Sequence, residues 1–228
     1  MEDARERSAY HCVSLRMPRK VESDEHMPSL RGLYAITNGP RDDLRQAVAA
    51  ALSGGARVIQ YRDKTTDQTR RLAEANALAG LCREHAVPLI INDDIELARA
   101  CRAAGVHLGA DDRDIATARL RLGDQAIIGI SCYASLERAR SAVDQGADYV
   151  AFGAFHASST KPLAQRATSQ ILREATTLGV PVVAIGGITA DNAAALIDAG
   201  ADCVAVISSL FDADDIEAAA RSFSQLFS

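Results

Sequence analysis

Two cations spaced two residues apart, Arg62 and Lys64, and two later pairs of aspartates, Asp93-Asp94 and Asp111-Asp112, are the residues whose types could do chemistry together. Arg62 and Lys64, with Gln60 just before them, sit at the end of a short apolar run from Arg57 to Tyr61. From one side of a strand end a guanidinium can bond a phosphate in bidentate fashion while an ammonium adds a compact charge. A solvated loop in which Arg62, Asp63 and Lys64 balance one another has the same spacing. Asn92-Asp93-Asp94 directly follows Leu89 to Ile91. Asp94 precedes Ile95-Glu96-Leu97-Ala98 and reads as a helix N-cap, which leaves Asp93 unexplained by capping. Asp93 and Asp112 together suit one Mg2+, a hard cation that takes one or two protein carboxylates and completes its shell with water and phosphate oxygens. Helix capping by Asp112 or Asp114 is the competing reading.

A second set of small and polar residues follows later apolar runs. Gly186-Gly187-Ile188-Thr189 comes after Val182 to Ile185, and Ile207-Ser208-Ser209 closes a run that begins at Asp202. Glycine amides and hydroxyls so placed bind phosphate, and a tight left-handed turn with Thr189 as cap is the plainer alternative. Ser131 stands at the end of another run. The connection from Gly153 to Thr168 is the longest and carries Ser158, Ser159, Thr160 and Lys161. It is either a lid that delivers Lys161 to an anion or a solvated loop. His107 has no histidine or cysteine at ligand spacing and reads as a hydrogen-bonded structural residue. Cys132 lacks a partner base, so nucleophilic catalysis finds no support.

Some scaffold must bring these residues to one place. After Pro28 the chain alternates short apolar runs with longer helical patterns, the rhythm of parallel strands joined by crossover helices. The strand candidates are Leu33 to Thr37, Arg57 to Tyr61, Pro88 to Ile91, Val106 to Leu108, Ala126 to Ile130, Asp148 to Phe152, Pro181 to Ile185 and Asp202 to Ile207. Between them Gln68 to His85 repeats Leu72, Ala75, Ala79, Cys82 and Ala86 on one helical face,. Gly54, Gly105, Gly146, Gly179 and Gly200 sit where helices would end in a left-handed residue,. This many repeats, with no GxGxxG after the first run, point to an α/β fold, a single (β/α)8 TIM barrel, rather than an open dinucleotide-binding sheet. In such a barrel, function gathers where strands end.

The bulk composition agrees. A length of 228 residues and 48% hydrophobic residues suit one barrel, and 4% aromatics with no tryptophan suit small helices on buried strands,. A net charge of -5 gives no long-range attraction to nucleic acid or an anionic membrane,. No stretch approaches the ~20 apolar residues of a membrane span. The five cysteines, Cys12, Cys82, Cys101, Cys132 and Cys203, are widely spaced without a CxxC pair, which argues for reduced thiols in a cytoplasm. Residues 1–28 are charged and lack a signal-peptide core, so a disordered leader is expected before a barrel at 29–228. Homo-oligomerisation is left open.

In order and spacing, Gln60-Tyr61-Arg62-Asp63-Lys64, Ile91-Asn92-Asp93-Asp94, Gly105-Val106-His107-Leu108-Gly109, Thr160-Lys161-Pro162 and Gly186-Gly187-Ile188-Thr189 resemble the thiamine-phosphate synthase family. The likeness spans nearly all of residues 30 to 226, and the first two motifs combined are the specific ones. The resemblance implies a Mg2+-dependent transferase that joins a hydroxymethylpyrimidine diphosphate to hydroxyethylthiazole phosphate, giving thiamine phosphate and diphosphate through a pyrimidine methyl cation. It implies that Gln60, Arg62, Lys64, Asn92, Ser131 and Lys161 contact the pyrimidine diphosphate, with Arg62, Lys64, Ser131 and Lys161 catalytic. Asp93 and Asp112 would hold the metal. Ser158, Thr160, Gly187, Ile207 and Ser208 would hold the thiazole phosphate. Ala110, Ala154 and Tyr133 depart from the family's usual Gln, Pro and His. A thiazole tautomerase-like relative, which often uses a His near the end of strand five, and a non-catalytic binder of phosphorylated thiamine precursors are the alternatives.

Overall fold

The computed structural model describes residues 30–109, 113–156 and 166–228. Eight strands, β1 (Gly32–Ile36), β2 (Val58–Tyr61), β3 (Leu89–Asn92), β4 (Gly105–Leu108), β5 (Ile127–Tyr133), β6 (Tyr149–Phe152), β7 (Val182–Ile185) and β8 (Cys203–Val206), pair in parallel and in chain order. β8 returns to β1 and closes the barrel. The helices that carry the chain back are α1 (Leu44–Ser53), α2 (Gln68–Glu84), α3 (Ile95–Ala100), α4 (Arg113–Leu122), α5 (Leu136–Asp144), α6 (Ser169–Ala175) and α7 (Ala190–Asp198); α8 (Ser208–Phe211) and α9 (Ile216–Ser224) follow β8. The single (β/α)8 barrel expected from the sequence is the fold.

Helix starts follow local chemistry. Asp67, Asp94, Ser135 and Asp215 each accept a bond from the backbone N–H three residues on, satisfying a donor that the first turn leaves open,. Gly146, Gly179 and Gly200 take the expected positive φ. Two glycines do otherwise. Gly54 is right-handed and its neighbour Gly55 makes the turn. Gly105 is a strand residue whose missing Cβ leaves room for the backbone of Ile127, 1.8 Å from where that atom would be. After α3 the left-handed position is filled by Arg102 instead.

Alternation along the strands divides the core in two. One set, including Leu33, Ala35, Ile59, Ile91, Val106, Ile128, Ile130, Val150 and Val204, packs against the helices. The other set fills the barrel: Tyr34, Val58, Ile90, Ile127, Tyr149, Val183 and Cys203 form a separate inner cluster. Gln60, Asn92, His107 and Ser131 are two residues beyond inner-facing Val58, Ile90, Gly105 and Gly129 on their strands, so they form a polar layer above an apolar floor. β5 extends past the expected Ile130, and its pairing with β6 shifts register between Ser131 and Tyr133. Ser131 therefore lies within a strand rather than just after one.

At the opposite end of the barrel, the aspartates before β6 and β8 each hold the preceding strand. Asp148 accepts the Ile128 N–H at 2.8 Å and Asp202 accepts the Val182 N–H at 2.9 Å. Arg119 of α4 adds a 2.7 Å ion pair to Asp148 and donates to the Ala126 carbonyl at 2.6 Å. Among the described residues no helix is long and apolar enough to cross a membrane.

Candidate functional site at the barrel mouth

At the C-terminal ends of the strands lies a cavity of about 140 Å3. Gln60, Arg62, Asn92, Ser131 and Ile207, all singled out from sequence, line it. Asn92 also borders a neighbouring opening with Lys64 and Asp93. Five candidate contacts thus share one cavity, and two more share a second with a common wall. Gly187 and Ser208 stand beyond the ends of the paired strands β7 and β8. Asp112, Ser158, Thr160 and Lys161 lie outside the described residues, as does the departure at Ala110. Ala154 and Tyr133, the other two departures, line the first cavity.

The loop that carries Arg62 and Lys64 is anchored on both sides. Buried Thr37 at the end of β1 accepts the Arg62 N–H at 2.8 Å. Asp63 points the other way: its side chain is fully buried, takes the Thr65 N–H at 2.8 Å and pairs with Arg70 of α2 at 2.7 Å. Burial alone would raise the Asp63 pKa, yet the bonds from Thr65 and Arg70 together outweigh it and hold the carboxyl below its usual range,. The internal charge balance that competed with a phosphate clamp is therefore not what occupies Arg62 and Lys64. Asp63 balances Arg70, and the two flanking cations border the cavities.

Asp93 and Asp94 divide their work as the sequence suggested. Asp94 accepts the Leu97 N–H at 2.9 Å and pairs with Arg71 at 3.0 Å. Asp93 is exposed, with a φ of 61°, and its own N–H bonds the His107 carbonyl at 2.8 Å. This left-handed step just after β3, held by the next strand, turns the carboxylate away from helix capping. One of its oxygens accepts the Asn92 amide at 2.7 Å. An exposed carboxylate on a rigid strand end is a hard oxygen donor that fits Mg2+. Among the described residues no group of three or more acidic, His or Cys side chains could hold a metal, so the fit there rests on Asp93 with water and ligand oxygens.

On the far side of the mouth the Gly-Gly turn is stapled. Gly186 and Gly187 have φ of 106° and 63°, which a Cβ would strain,. Asn192 accepts the Thr189 N–H at 2.9 Å and donates to the Gly187 carbonyl at 3.1 Å. Ser209 donates to the Ile188 carbonyl at 2.7 Å, tying the turn after β7 to the start of α8. The plain reading describes this turn, since Thr189 does precede α7 as its N-cap, and Gly186 lines the cavity at the mouth.

Inside the mouth, side chains from five strands join in one hydrogen-bonded chain. Gln60 Nε2 donates to the Tyr34 hydroxyl at 2.9 Å, and the Tyr34 and Tyr149 hydroxyls are 2.7 Å apart. His107 Nδ1 lies 2.9 Å from the Tyr149 hydroxyl and Nε2 lies 2.9 Å from Ser131 Oγ. The Tyr149 ring stacks on His107 at 5.6 Å between centroids. Burial pushes both phenol pKa values up, so Tyr34 and Tyr149 stay protonated,. His107 is a hydrogen-bonded residue as expected. The two tyrosines were missed because they lie in apolar strand runs; their signal was a hydroxyl recurring at inner-facing positions, since buried Tyr seeks a partner.

Residues 33–210 match the sequence model of the thiamine monophosphate synthase family. The chain is 56% identical over 203 residues to a protein named thiamine-phosphate synthase from Methylobacillus flagellatus, which covers 88% of this chain and 97% of that one. It is 54% identical over 202 residues to another of that name from Chromobacterium violaceum, covering 88% and 98%. Among solved structures, a thiamine phosphate pyrophosphorylase from Pyrococcus furiosus superposes with a TM-score of 0.79 at 32% identity, over 89% of this chain and 98% of that one.

Proposed function

The chain belongs to the thiamine monophosphate synthase family, and from that premise we infer that it joins a hydroxymethylpyrimidine diphosphate to hydroxyethylthiazole phosphate, releasing diphosphate. The observation that carries the site assignment is the shared cavity of Gln60, Arg62, Asn92 and Ser131. These side chains supply amide and hydroxyl groups for a ring and its linker, and a guanidinium for an anion. They include no activated nucleophile, which suits a reaction in which the leaving group departs first.

In this mechanism Arg62 and Lys64 neutralise the charge that grows on the departing diphosphate, and Ser131 donates a hydrogen bond to it. Asp93 with Asp112 would hold Mg2+, which when bound would add charge neutralisation for the leaving group. Lys161, in the sequence between β6 and α6, contacts the same anion. The resulting pyrimidine methyl cation is captured by the thiazole nitrogen. Ser158, Thr160, Gly187, Ile207 and Ser208 hold the thiazole phosphate close enough for that capture.

The relatives that match over most of the chain carry the synthase name, which favours this reading over a tautomerase-like one. The partners are small molecules, and a cytoplasmic location and self-association are compatible with it. Mixing both substrates with Mg2+ and the full chain should yield thiamine phosphate and diphosphate in equal amounts. Binding of both substrates by calorimetry without diphosphate release would overturn the assignment in favour of a non-catalytic binder.

A further inference from the structure

The hydrogen-bonded chain across the mouth has a direction, and proton counting gives it. An amide nitrogen only donates, so with Gln60 Nε2 turned to Tyr34 the Tyr34 proton must go on to Tyr149,. Tyr149 then accepts from Tyr34 and has its own proton left for His107 Nδ1. A neutral imidazole whose Nδ1 accepts carries its proton on Nε2, and that proton meets Ser131 Oγ,. Among the described residues His107 is the only partner of the Ser131 hydroxyl, so the hydroxyl's own proton is left for the cavity that Ser131 lines.

The alternative tautomer would reverse the last step. With Nε2 bare, Ser131 would donate to His107 and present only lone pairs to the cavity, repelling an anion instead of binding it. One proton on the imidazole thus decides whether Ser131 is a donor or an acceptor toward ligand. We propose that Tyr34, Tyr149 and His107 are positioning residues that fix the Nε2–H tautomer of His107 and thereby commit the Ser131 hydroxyl to donate to an anionic oxygen of the ligand. This deepens the proposed function and rests on it for the identity of that anion as the departing diphosphate.

The surroundings are built for this arrangement. A Cβ on Gly129, the residue two before Ser131, would lie 1.9 Å from Tyr149 Cζ and 2.3 Å from its hydroxyl oxygen. The bare glycine is therefore the space in which the Tyr149 ring reaches His107 from β6. The inner end of the chain, Gln60, Tyr34 and Tyr149, is buried and satisfied. Among the described residues the only buried side-chain polar atoms without a partner are Arg71 Nε and His156 Nε2, neither of which belongs to it. That buried end holds one arrangement, because breaking a bond there strands a polar group.

Nitrogen-15 NMR on the full chain with labelled histidine tests the tautomer directly, the His107 signal being identified by its loss in His107→Gln. The expected result is protonated Nε2 and bare Nδ1 in the wild type. A proton on Nδ1 there would overturn the proposal, whether or not the protein makes thiamine phosphate. Tyr149→Phe should let the tautomers mix and lower kcat about tenfold, the size of one bond to a charged group, with KM for thiazole phosphate unchanged. Because Tyr149 acts through Ser131, the double variant Tyr149→Phe/Ser131→Ala should be no slower than Ser131→Ala alone. Independent, multiplying losses would mean that Tyr149 acts by another route. Absence of thiamine phosphate from the wild type would instead sink the assigned reaction and leave the tautomer result standing.

Discussion

A buried carboxylate at Asp63 sits between two cations, Arg62 and Lys64, that border the cavities, while itself bonding Tyr61 of β2, its own loop and α2. Its folded-state pKa is lowered, so its stabilisation is present above the unfolded carboxyl value and is lost as pH falls through the folded one,. Asp63→Asn should therefore cost about 1–3 kcal/mol at neutral pH, and the gap from wild type should shrink below pH ~4. Urea unfolding of both proteins across that range measures it; a gap that stays constant on acidification would refute the linkage. Asp93 invites a different test. Asp93→Asn should slow diphosphate release about 100-fold at limiting Mg2+ while leaving the unfolding curve in place, and unchanged release there would refute the metal role. Sequence alone separated Asp93 from Asp94, since a helix pattern one residue on explained the second carboxylate and not the first. It did not reveal that Asp63 and Arg70, seven residues apart, are partners, because that pairing depends on how the loop folds back onto α2.

At the scale of elements, strand-run periodicity located all eight strands to within a few residues, because buried parallel strands are apolar on both faces,. The end of β5 was the informative miss. Ser131-Cys132-Tyr133 alternates polarity without the apolar residues that mark a strand, yet its pairing with β6 carries it on through a shift in register,. Glycine was equally ambiguous: Gly105 and Gly129 leave space for neighbouring strand residues, a demand that no local pattern expresses. The opposite end of the barrel offers a clean contrast with the mouth. Arg119 links α4 to the starts of β5 and β6 through the Ala126 carbonyl and the Asp148 carboxylate, both side chains being about nine-tenths buried. Arg119→Ala should lower stability by about 2–4 kcal/mol and leave kcat unchanged, since this face positions strands and touches no ligand. Loss of kcat in the still-folded fraction would show that the two ends are coupled.

For the whole molecule, closure of β8 on β1 turns separate strand ends into one mouth, and tertiary ties reinforce that seam. Arg41, in the connection after β1, donates to the Phe211 carbonyl of α8 at 2.8 Å, and Asn38 donates to Asp212 at 2.6 Å. The same closure buries Cys82, Cys101, Cys132 and Cys203. Burial pushes Cys82 and Cys203 up to about 12, leaving almost no thiolate at neutral pH. Mass spectrometry after brief exposure to a thiol reagent should find these four unmodified in the native protein and modified after denaturation. Rapid native labelling would mean that the barrel opens far more readily than its packing implies. The odd count and wide spacing of the cysteines suggested free thiols; their places in the core came only with the fold.

The bare Cα of Gly129 also has a meaning for how such a sequence can change. Position 129 does not line the cavity, yet any side chain there would evict the Tyr149 ring. A mutational scan should therefore find it as intolerant as a reactive residue. The intolerance would come from occupied volume and not from reactivity. Enlarging that site would require Tyr149 to shrink in the same step, so the two positions can drift only as a pair.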